Sequence, residues 1–289
     1  MTPIGRIRRF NRIVTSEVGA LDTSFLGRGR SLGAARVLNA IGRGRTDVAA
    51  LRDDLALDSG LMSRLLRALE AEGLVETRAH PDDARRRVAN LTEAGRAEYL
   101  AYEELSDARA EAILERHPKP DTLLAAMDLV ATALGHDRIV IEAVDPRGAP
   151  ARECLSQYYG ELARRFDRGF DVTLSRDPDA RDMVHPRGAF LLAMSDGAAV
   201  GCVGLKGAGG SMGEVKRLWV APAARGLGLS HRLMAAVEAE ARALSMTTLR
   251  LDTNRSLSEA LGLYRNSGWT EIERFNDDPY PDIFFEKHL

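Results

Sequence analysis

One stretch limits the folds open to this 289-residue chain more than any other. Residues 215–220 mix β-branched, aromatic and basic side chains, which predicts a strand. Pro222 ends that strand, because proline has no amide to give to the ladder. Residues 225–230, Arg-Gly-Leu-Gly-Leu-Ser, then open a segment whose apolar residues recur at helical spacing as far as Leu244. The chain therefore places a glycine-rich turn between a strand and the N-terminus of a helix.

Such a turn is suited to bind an anion. Glycines let the backbone approach closely, and the unpaired N–H groups and the dipole of the helix attract anionic oxygens. No Gly-x-Gly-x-x-Gly follows the first strand of a βαβ unit, which disfavours dinucleotide binding, and the missing Gly-Lys-Ser/Thr excludes a Walker loop. The pattern of Arg225, Gly228 and Ser230 resembles the acetyl-CoA loop of the Gcn5-related N-acetyltransferase (GNAT) family, in which Gly or Ala usually stands at the last position.

Length and composition narrow the class of protein. A chain of this length is expected to form about two domains, and its 45% apolar content is ordinary for a folded soluble chain. Cys154 and Cys202 form no motif, and the six histidines show no metal-ligand spacing, so we expect a reducing compartment and no metal. With neither a signal peptide nor an apolar run of about 20 residues, the sequence predicts a cytoplasmic protein without a membrane segment.

The first part of the chain reads as helices followed by a basic hairpin. Helices are predicted over residues 4–18, 31–41, 46–55 and from Asp58 or Ser59 to 71, with Thr46 as an N-cap. Strands are predicted over residues 74–79 and 87–91, joined by a loop over residues 80–86. Thr92 is the predicted cap of a long helix to about residue 117, and a helix over residues 121–134 is followed by a short linker, His136-Asp137. Residues 1–91 carry 16 Lys and Arg against 11 Asp and Glu, a modest excess that suits contact with nucleic acid. The layout is that of a winged helix-turn-helix.

Residues 57–75 resemble the MarR family of transcriptional regulators, as do Asp83-Ala84-Arg85 and the stretch Leu91-Thr92-Glu93-Ala94-Gly95. The resemblance covers residues 4 to about 134. It implies a homodimer, formed through the first and last helices of the domain, that binds double-stranded operator DNA. The residues expected to contact DNA are Ser59, Ser63, Arg64 and Arg67 on the recognition helix and Arg85 and Arg86 in the wing.

The second part alternates strands and helices. Strands are predicted over residues 138–144, 189–195, 198–206, 215–220, 247–253, 269–274 and 282–287, with helices near 155–166, after 229 and over 256–266. Asp196-Gly197 is the signal for a hairpin turn between the second and third strands. The order β-α-β-β-β-α-β-α-β-β is that of the GNAT family. We therefore expect two domains: residues 1–136 as a mainly helical winged helix and residues 137–289 as an α/β (α+β) GNAT acyltransferase fold with a mixed sheet.

The GNAT resemblance also assigns roles to residues. Backbone amides near Leu218, Trp219 and Val220 would hold the pantetheine and polarise the thioester carbonyl of acetyl-CoA, helped by a bulge or splay of their strand. The residues expected to hold the pyrophosphate are Arg225, Gly226, Leu227, Gly228, Leu229 and Ser230. Leu257 stands where the family often has an Asn that contacts CoA, and Asn254 is a candidate to replace that Asn.

Two residues are candidates for proton transfer. Tyr264, in Leu-Tyr-Arg-Asn-Ser-Gly-Trp, matches the family motif whose tyrosine commonly protonates the departing thiolate. Glu214 begins the central strand, where several members have a general base, although a solvated glutamate explains it equally well. Lys216 or Arg217 would pair with a substrate carboxylate, or both would be solvated at a strand edge. The aromatic and acidic residues from Phe275 to Tyr280 would wall the acceptor site.

These patterns predict a bifunctional transcriptional regulator and acetyl-CoA-dependent N-acetyltransferase, acting on an amine that the sequence does not identify. One alternative is a non-catalytic DNA-binding regulator that senses acetyl-CoA through its GNAT domain. Another is an enzyme whose winged helix serves only to dimerise. Turnover of acetyl-CoA on an amine distinguishes the enzyme from the sensor, and salt-dependent binding to DNA tests the last alternative.

Overall fold

The computed structural model describes residues 1–175 and 177–289, without the side chain at position 84. The chain divides into two compact units, Met1–Pro120 and Asp121–Leu289. The predicted boundary between residues 136 and 137 lies one helix further along the chain, because the helix Pro120–Gly135 falls in the second unit. The predicted linker is helical in part, since a 3₁₀ turn occupies His136–Arg138.

The first unit contains five helices and one hairpin among its described residues. They are α1 (Pro3–Glu17), α2 (Leu32–Gly42), α3 (Val48–Asp54), α4 (Ser59–Ala71), β1 (Val75–His80), β2 (Asp83–Leu91) and α5 (Glu93–Arg116). Side-chain oxygens cap all five of these helices, because the first amides of a helix have no partner within it. Asp58 accepts from the amide of Leu61 at 2.8 Å, and Thr92 caps α5 as predicted.

Two local predictions in this unit are wrong. Asp47, not Thr46, is the N-cap of α3, and its carboxylate accepts from the amide of Ala50 at 2.8 Å. The residues between the two strands form a turn at Pro81 and Asp82 rather than a seven-residue loop, since β2 begins at Asp83. Arg85 and Arg86 consequently lie within the span of β2, in the irregular stretch between the pairs that Arg87 makes with Ala79 and Asp83 makes with His80.

The core of the first unit packs α4 against its neighbours. Met62, Leu66 and Leu69 of α4 are buried together with Val37 and Leu38 of α2. The remaining face of α4 points away from this core. By contrast, α1 has no buried residue, and its apolar side chains are exposed. Ile4, for example, is 71% exposed.

The second unit is built on one seven-stranded sheet. Its elements are α6 (Pro120–Gly135), β3 (Val140–Ala143), α7 (Ala149–Arg165), β4 (Gly188–Ser195), β5 (Ala198–Gly209), β6 (Met212–Val220), α8 (Leu229–Ala243), β7 (Thr248–Thr253), α9 (Ser258–Arg265), β8 (Thr270–Ile272) and β9 (Ile283–His288). The strand order is β3-β4-β5-β6-β7-β9-β8. Neighbouring strands are antiparallel except β6 and β7, so the sheet is mixed, as predicted.

Helices cover both faces of this sheet. Successive residues of a strand point to opposite faces, and β4 divides its side chains accordingly. Leu191 packs in a core with Leu233 and Val237 of α8, whereas Phe190 packs in a second core with Cys154 of α7. β6 thus lies at the centre of a three-layer domain, with α7 on one face and α8 on the other. Among the helices that the structure describes, none combines the length and apolar character required to span a bilayer.

Candidate active site and DNA-binding surface

The central strand β6 is interrupted by a bulge. Cys202 of β5 pairs with Trp219 and Gly204 pairs with Lys216, so two residues of β6 stand opposite one of β5. Arg217 lies in the bulge with φ at 58°, a left-handed conformation that is uncommon for a residue with a side chain. The predicted bulge is therefore present.

Beyond the bulge, β6 also separates from β7. The two strands pair from Met212 with Thr248 to Val215 with Leu251, and no described strand pairs with residues 216–220 on that side. Backbone groups that would complete a sheet are consequently free to bind something else, since unpaired amides and carbonyls need partners. Leu218 lines two adjoining cavities at this opening.

The glycine-rich turn of residues 225–230 lies beside one of these two cavities, which is called the first cavity here. Gly226 and Gly228 have φ values of 77° and 74°, so both positions require the left-handed region that glycine adopts most easily. No heavy atom lies within 4 Å of a Cβ built at either glycine. Gly228 is the N-cap of α8 and provides no capping side chain, so the first amides of α8 remain available to an anion.

A partly buried carboxylate on α7 fixes the loop to the strand. Glu161 accepts hydrogen bonds from the indole nitrogen of Trp219 at 2.9 Å and from the Arg225 guanidinium at 2.6 Å. Arg225 also donates to the carbonyl oxygen of Val220 at 3.1 Å. Burial alone raises the pKa of Glu161, but these hydrogen bonds outweigh it and hold the pKa below its usual value. The Arg225 side chain is thus directed back to β6 and holds the turn in place.

The cavity beside the loop has a volume of about 290 Å³ and is lined by the predicted cofactor-binding residues Leu218, Trp219, Val220, Arg225, Gly226, Gly228, Leu229 and Ser230. The partly buried Leu227 is not among the lining residues. Asn254 lines the second cavity instead, and both ends of its amide are engaged, since it donates to the Tyr280 carbonyl at 2.7 Å and accepts from the Ser256 amide at 2.9 Å.

The second cavity, of about 130 Å³, contains a cluster of charged groups. Lys216 Nζ lies 2.6 Å from Asp252 Oδ2 and 3.5 Å from Glu214 Oε2. Asn276 Nδ2 also donates to Asp252, at 2.6 Å. Glu214 therefore lines the cavity with a side chain that is only 13% exposed, and it is not a solvated glutamate at the strand start. Lys216 is likewise paired rather than solvated.

Arg217 differs from its neighbour. Its Nη2 donates to the carbonyl oxygens of Asp177 and Pro178, and the guanidinium lies 5.8 Å from the centre of the Tyr159 ring. Its Nη1 and the Tyr159 hydroxyl are both buried, and neither has a hydrogen-bond partner among the described residues. A buried polar atom left unpaired costs about 1–3 kcal/mol, more if charged, which makes this wall of the cavity unusual.

Tyr264 on α9 lines the same cavity and is 5% exposed. Burial, together with the nearby Asp252, raises the pKa of its hydroxyl well above the ordinary value. The hydroxyl thus holds its proton more firmly than that of an ordinary tyrosine and is suited to donate it at neutral pH. Tyr158, Leu162, Leu218, Leu257 and Ala260 line both cavities and mark the junction between them. Among the described residues, no three or more His, Cys, Asp or Glu side chains are grouped to hold a metal ion.

The first unit presents a separate, exposed set of basic residues. The predicted DNA-contacting residues of α4 are all exposed: Ser59, Ser63, Arg64 and Arg67. The Arg67 Nε donates to the carbonyl oxygen of Ser63 at 3.1 Å, whereas Arg64 makes no ion pair with a described residue. The face of α4 opposite the core thus carries polar side chains that are free to reach a ligand.

The two wing arginines are not equivalent. Arg86 forms an ion pair with Asp47 at 2.7 Å, while Arg85 forms none with a described residue. The pKa of Asp47 is lowered first by the hydrogen bond from the Ala50 amide and then by Arg86. Asp47 therefore offsets part of the positive charge of Arg86, whereas the charge of Arg85 is not offset.

Comparison with known proteins agrees with both halves of this description. Residues 155–269 match the acetyltransferase (GNAT) family and residues 28–86 match the MarR family. The chain is 33% identical over 148 residues to an IAA acetyltransferase of Azospirillum brasilense, which covers 50% of this chain and 95% of that protein. The chain belongs to the GNAT family of acetyltransferases. It joins that domain to a MarR-type winged helix, as the sequence predicted.

Two further relatives are similar to the GNAT part. An uncharacterised N-acetyltransferase of Schizosaccharomyces pombe is 32% identical over 124 residues, which cover 40% of this chain and 76% of that protein. A crystal structure of a GNAT acetyltransferase from Staphylococcus aureus is 20% identical, with a TM-score of 0.46, over 52% of this chain and 99% of that one. Acetyl-CoA is the acetyl donor of the GNAT family.

The residues present fit that donor. The uncapped N-terminus of α8 and two left-handed glycines form a cradle for a diphosphate, and the cavity beside them leads along the unpaired edge of β6. Ser230, where the family usually has a smaller residue, lines this cavity without closing it. The sequence reasoning missed Glu161, Asp252 and Tyr159. Asp252 gave one signal, a charged residue at the end of a strand whose apolar residues alternate.

Proposed function

We propose that this protein transfers the acetyl group of acetyl-CoA to the amine of a small molecule and binds operator DNA as a homodimer. The observation that carries the enzymatic part is the opening of β6. A bulge, an unpaired strand edge, an uncapped helix N-terminus and a protonated tyrosine meet along two adjoining cavities. These are the parts that an acetyl transfer needs: a held donor, a polarised carbonyl, a base and an acid.

In this proposal the donor supplies an activated thioester, and the chain supplies position and protons. The free amides of β6 near Leu218 hold and polarise the carbonyl, and the loop from Arg225 to Ser230 holds the diphosphate. Glu214 accepts the proton of the amine, directly or through a water molecule. As the N–C bond forms and the C–S bond breaks, the Tyr264 hydroxyl gives its proton to sulfur. Proton exchange with water then restores both side chains.

Release of free CoA tests the enzymatic part. Purified protein is mixed with acetyl-CoA and, in separate wells, with amino acids, polyamines, aminoglycosides and lysine peptides, and the free thiol is followed. We expect one class to release CoA well above the rate without an amine. If calorimetry shows tight binding of acetyl-CoA but no class releases CoA, the domain is a sensor of acetyl-CoA and the enzymatic proposal is wrong.

The proposal for DNA rests on the exposed residues of the first unit. Arg64 and Arg85 have no ion-pair partner among the described residues, and they lie on the helix and the strand that a winged helix applies to DNA. Binding to promoter fragments should weaken steeply as salt increases, because contact with phosphates releases counterions. An affinity that does not change between low and high salt would leave the winged helix only a role in assembly. This function places the protein in the cytoplasm, together with DNA and acetyl-CoA.

The proposal for a homodimer rests on apolar side chains that lack a partner. Ile7 and Ile13 of α1 are 62% and 61% exposed, and Leu134 of α6 is 76% exposed. Exposed apolar stripes of this kind mark an interface. Light scattering should give twice the monomer mass for the wild type, and Ile7→Glu should shift it toward the monomer. A wild-type protein that stays monomeric at micromolar concentration would contradict the dimer.

A further inference from the structure

The second cavity, in which the acceptor would bind, has one wall whose polar atoms lack hydrogen-bond partners among the described residues. Arg217 Nη1 and the hydroxyl of Tyr159 are both buried without a hydrogen bond to any described residue. Both residues line the cavity that also contains Glu214 and Tyr264. Since buried donors are nearly always satisfied in folded proteins, two orphans on one cavity wall indicate that a ligand supplies the missing acceptor.

The charge on this wall is not balanced by the protein. Lys216 is paired with Asp252 at 2.6 Å and approaches Glu214 at 3.5 Å. Arg217 makes no ion pair with a described carboxylate, and its other donor nitrogen bonds only to the carbonyl oxygens of Asp177 and Pro178. The carboxylate of Asp177 accepts from the Arg181 amide at 3.0 Å. Of the two adjacent basic residues on β6, Arg217 is thus the one with charge left for an anion.

The cavity carries the opposite excess elsewhere. Lys216 lies between Glu214 and Asp252 in this cavity. Over the whole lining, four carboxylates (Asp177, Glu214, Asp252 and Asp278) stand against three basic side chains (Lys206, Lys216 and Arg217), which leaves one net negative charge that suits the amine of an acceptor. The cavity is therefore polarised, with one cationic wall at Arg217 and one acidic wall at Glu214.

We propose that the acceptor is a small amino carboxylate, a molecule with a free amine and a free carboxylate, such as an amino acid. Arg217 Nη1 and the Tyr159 hydroxyl donate to its carboxylate, and its amine faces Glu214. Hydrogen bonds from the guanidinium to a carboxylate are charge-assisted. A neutral carboxamide in place of the carboxylate would accept weaker hydrogen bonds, because it carries no negative charge. This inference rests on the acetyl transfer proposed above and names its class of substrate.

Matched pairs of acceptors test the inference. Each amino acid is compared with its own carboxamide, which keeps the amine and removes the negative charge. We expect the wild type to prefer the acid by roughly 10- to 100-fold in kcat/KM, with most of the difference in KM, as follows from a hydrogen bond to a charged group. Acids and amides acetylated equally well would overturn the proposal.

Two variants assign the preference to residues. Tyr159→Phe removes one hydroxyl and keeps the ring, so the acid preference should fall several-fold while the amides react as before. Arg217→Asn should reduce the preference to near unity, and Asn is chosen because it tolerates the left-handed backbone at this position. Arg265→Gln is the matched control, because this arginine is 55% exposed and pairs with Glu271 away from the cavity.

The ratio of kcat/KM for the amino acid to kcat/KM for its carboxamide distinguishes recognition of the carboxylate from a structural role of the residue. A variant that only loosens the cavity lowers both rates together and leaves the ratio unchanged, which would contradict the assignment. Calorimetry with acetyl-CoA confirms that each variant is folded. If no amine is acetylated at all, the proposed transfer is wrong. Calorimetric binding of acid and amide to the CoA-loaded protein then decides the carboxylate site independently, since equal affinities would overturn it.

Discussion

The candidate sites of the two units arrange charge in opposite ways. In the acetyltransferase unit, the charged side chains of the site line cavities and are largely buried and paired, as in the contacts among Lys216, Asp252 and Asn276. In the winged-helix unit, Arg64 and Arg85 are exposed and have no ion-pair partner among the described residues. The first arrangement fixes each group relative to a small molecule. The second leaves exposed positive charge, which suits an extended anion such as the DNA proposed above.

The difference teaches where specificity originates in each unit. Salt screens buried charges only weakly, so a single misplaced charge in the cavities should change turnover or ligand affinity by a large factor. Exposed arginines would contribute many small, salt-dependent contacts to DNA, so the removal of one arginine should lower DNA affinity only modestly. Substitutions in the two units should therefore differ in magnitude and in their response to salt.

The largest effect is expected at Tyr264. Tyr264→Phe should lower kcat by roughly 100- to 10,000-fold, the usual contribution of a positioned acid, and leave acetyl-CoA affinity unchanged. Because burial raises the pKa of Tyr264, the wild-type rate should not fall near pH 10, where an ordinary tyrosine loses its proton. A variant with near-wild-type turnover would show that water protonates the sulfur.

The next effect is expected at the loop. Gly228→Asp places a carboxylate where the diphosphate approaches, and like charges cost several kcal/mol at such a site, so acetyl-CoA affinity should fall by roughly 100-fold. Gly228→Asn is the matched control, since it has the same shape without the charge and tolerates the same backbone. Equal losses in both variants, measured by calorimetry, would assign the effect to the backbone and not to an anion.

A smaller effect is expected on DNA. Arg64→Ala should cost roughly 5- to 150-fold on a cognate duplex and much less on a scrambled one, because a contact to a base edge carries sequence information. Arg85→Ala should weaken both duplexes alike and reduce the salt slope by about one. Arg86→Ala should weaken binding less than Arg85→Ala, because Arg86 is paired with Asp47. Identical losses for Arg64→Ala on both duplexes would contradict its place at base edges.

The smallest effect is expected on the stability of the protein at low pH, through Glu161. Its pKa is lowered in the folded state, so its contribution to stability is complete above the unfolded pKa of about 4.3 and is lost as the pH falls through the lowered value. Glu161→Gln should remove this dependence, so its melting temperature should fall by about 2 °C less than that of the wild type on acidification from pH 5 to pH 3. Parallel curves for the two proteins would show that Glu161 contributes no such linkage.

The sequence predicted the order of elements well because periodicity and turn chemistry are local. The hairpin turn at Asp196-Gly197, the cap at Thr92 and the strand–loop–helix of β6 and α8 all depend on neighbouring residues. The wing was predicted less well: the charged run before Arg87 resembles a loop, but it lies within β2, at an irregularity in the pairing with β1. Burial and pairing with a distant strand are not visible in a window of a few residues.

The candidate site was predictable only where a motif carries it. Tyr264 and Gly228 match family patterns, so their positions could be named from the sequence. Glu161 lies 58 residues before its partner Trp219, and no local pattern connects them. The distinction between Lys216 and Arg217 likewise depends on Asp252, 36 residues after Lys216, which neutralises one base and not the other.

Following the acetyl group itself tests the central claim, that the opened β6 edge catalyses acetyl transfer, most directly. Isotope-labelled acetyl-CoA is incubated with the protein and an amino carboxylate, and the label is traced by NMR and mass spectrometry. The account predicts that the label leaves the thioester and appears as an N-acetyl amide in the same amount as the CoA released. Label that stays on the thioester, or that appears as free acetate with no amide product, would contradict it.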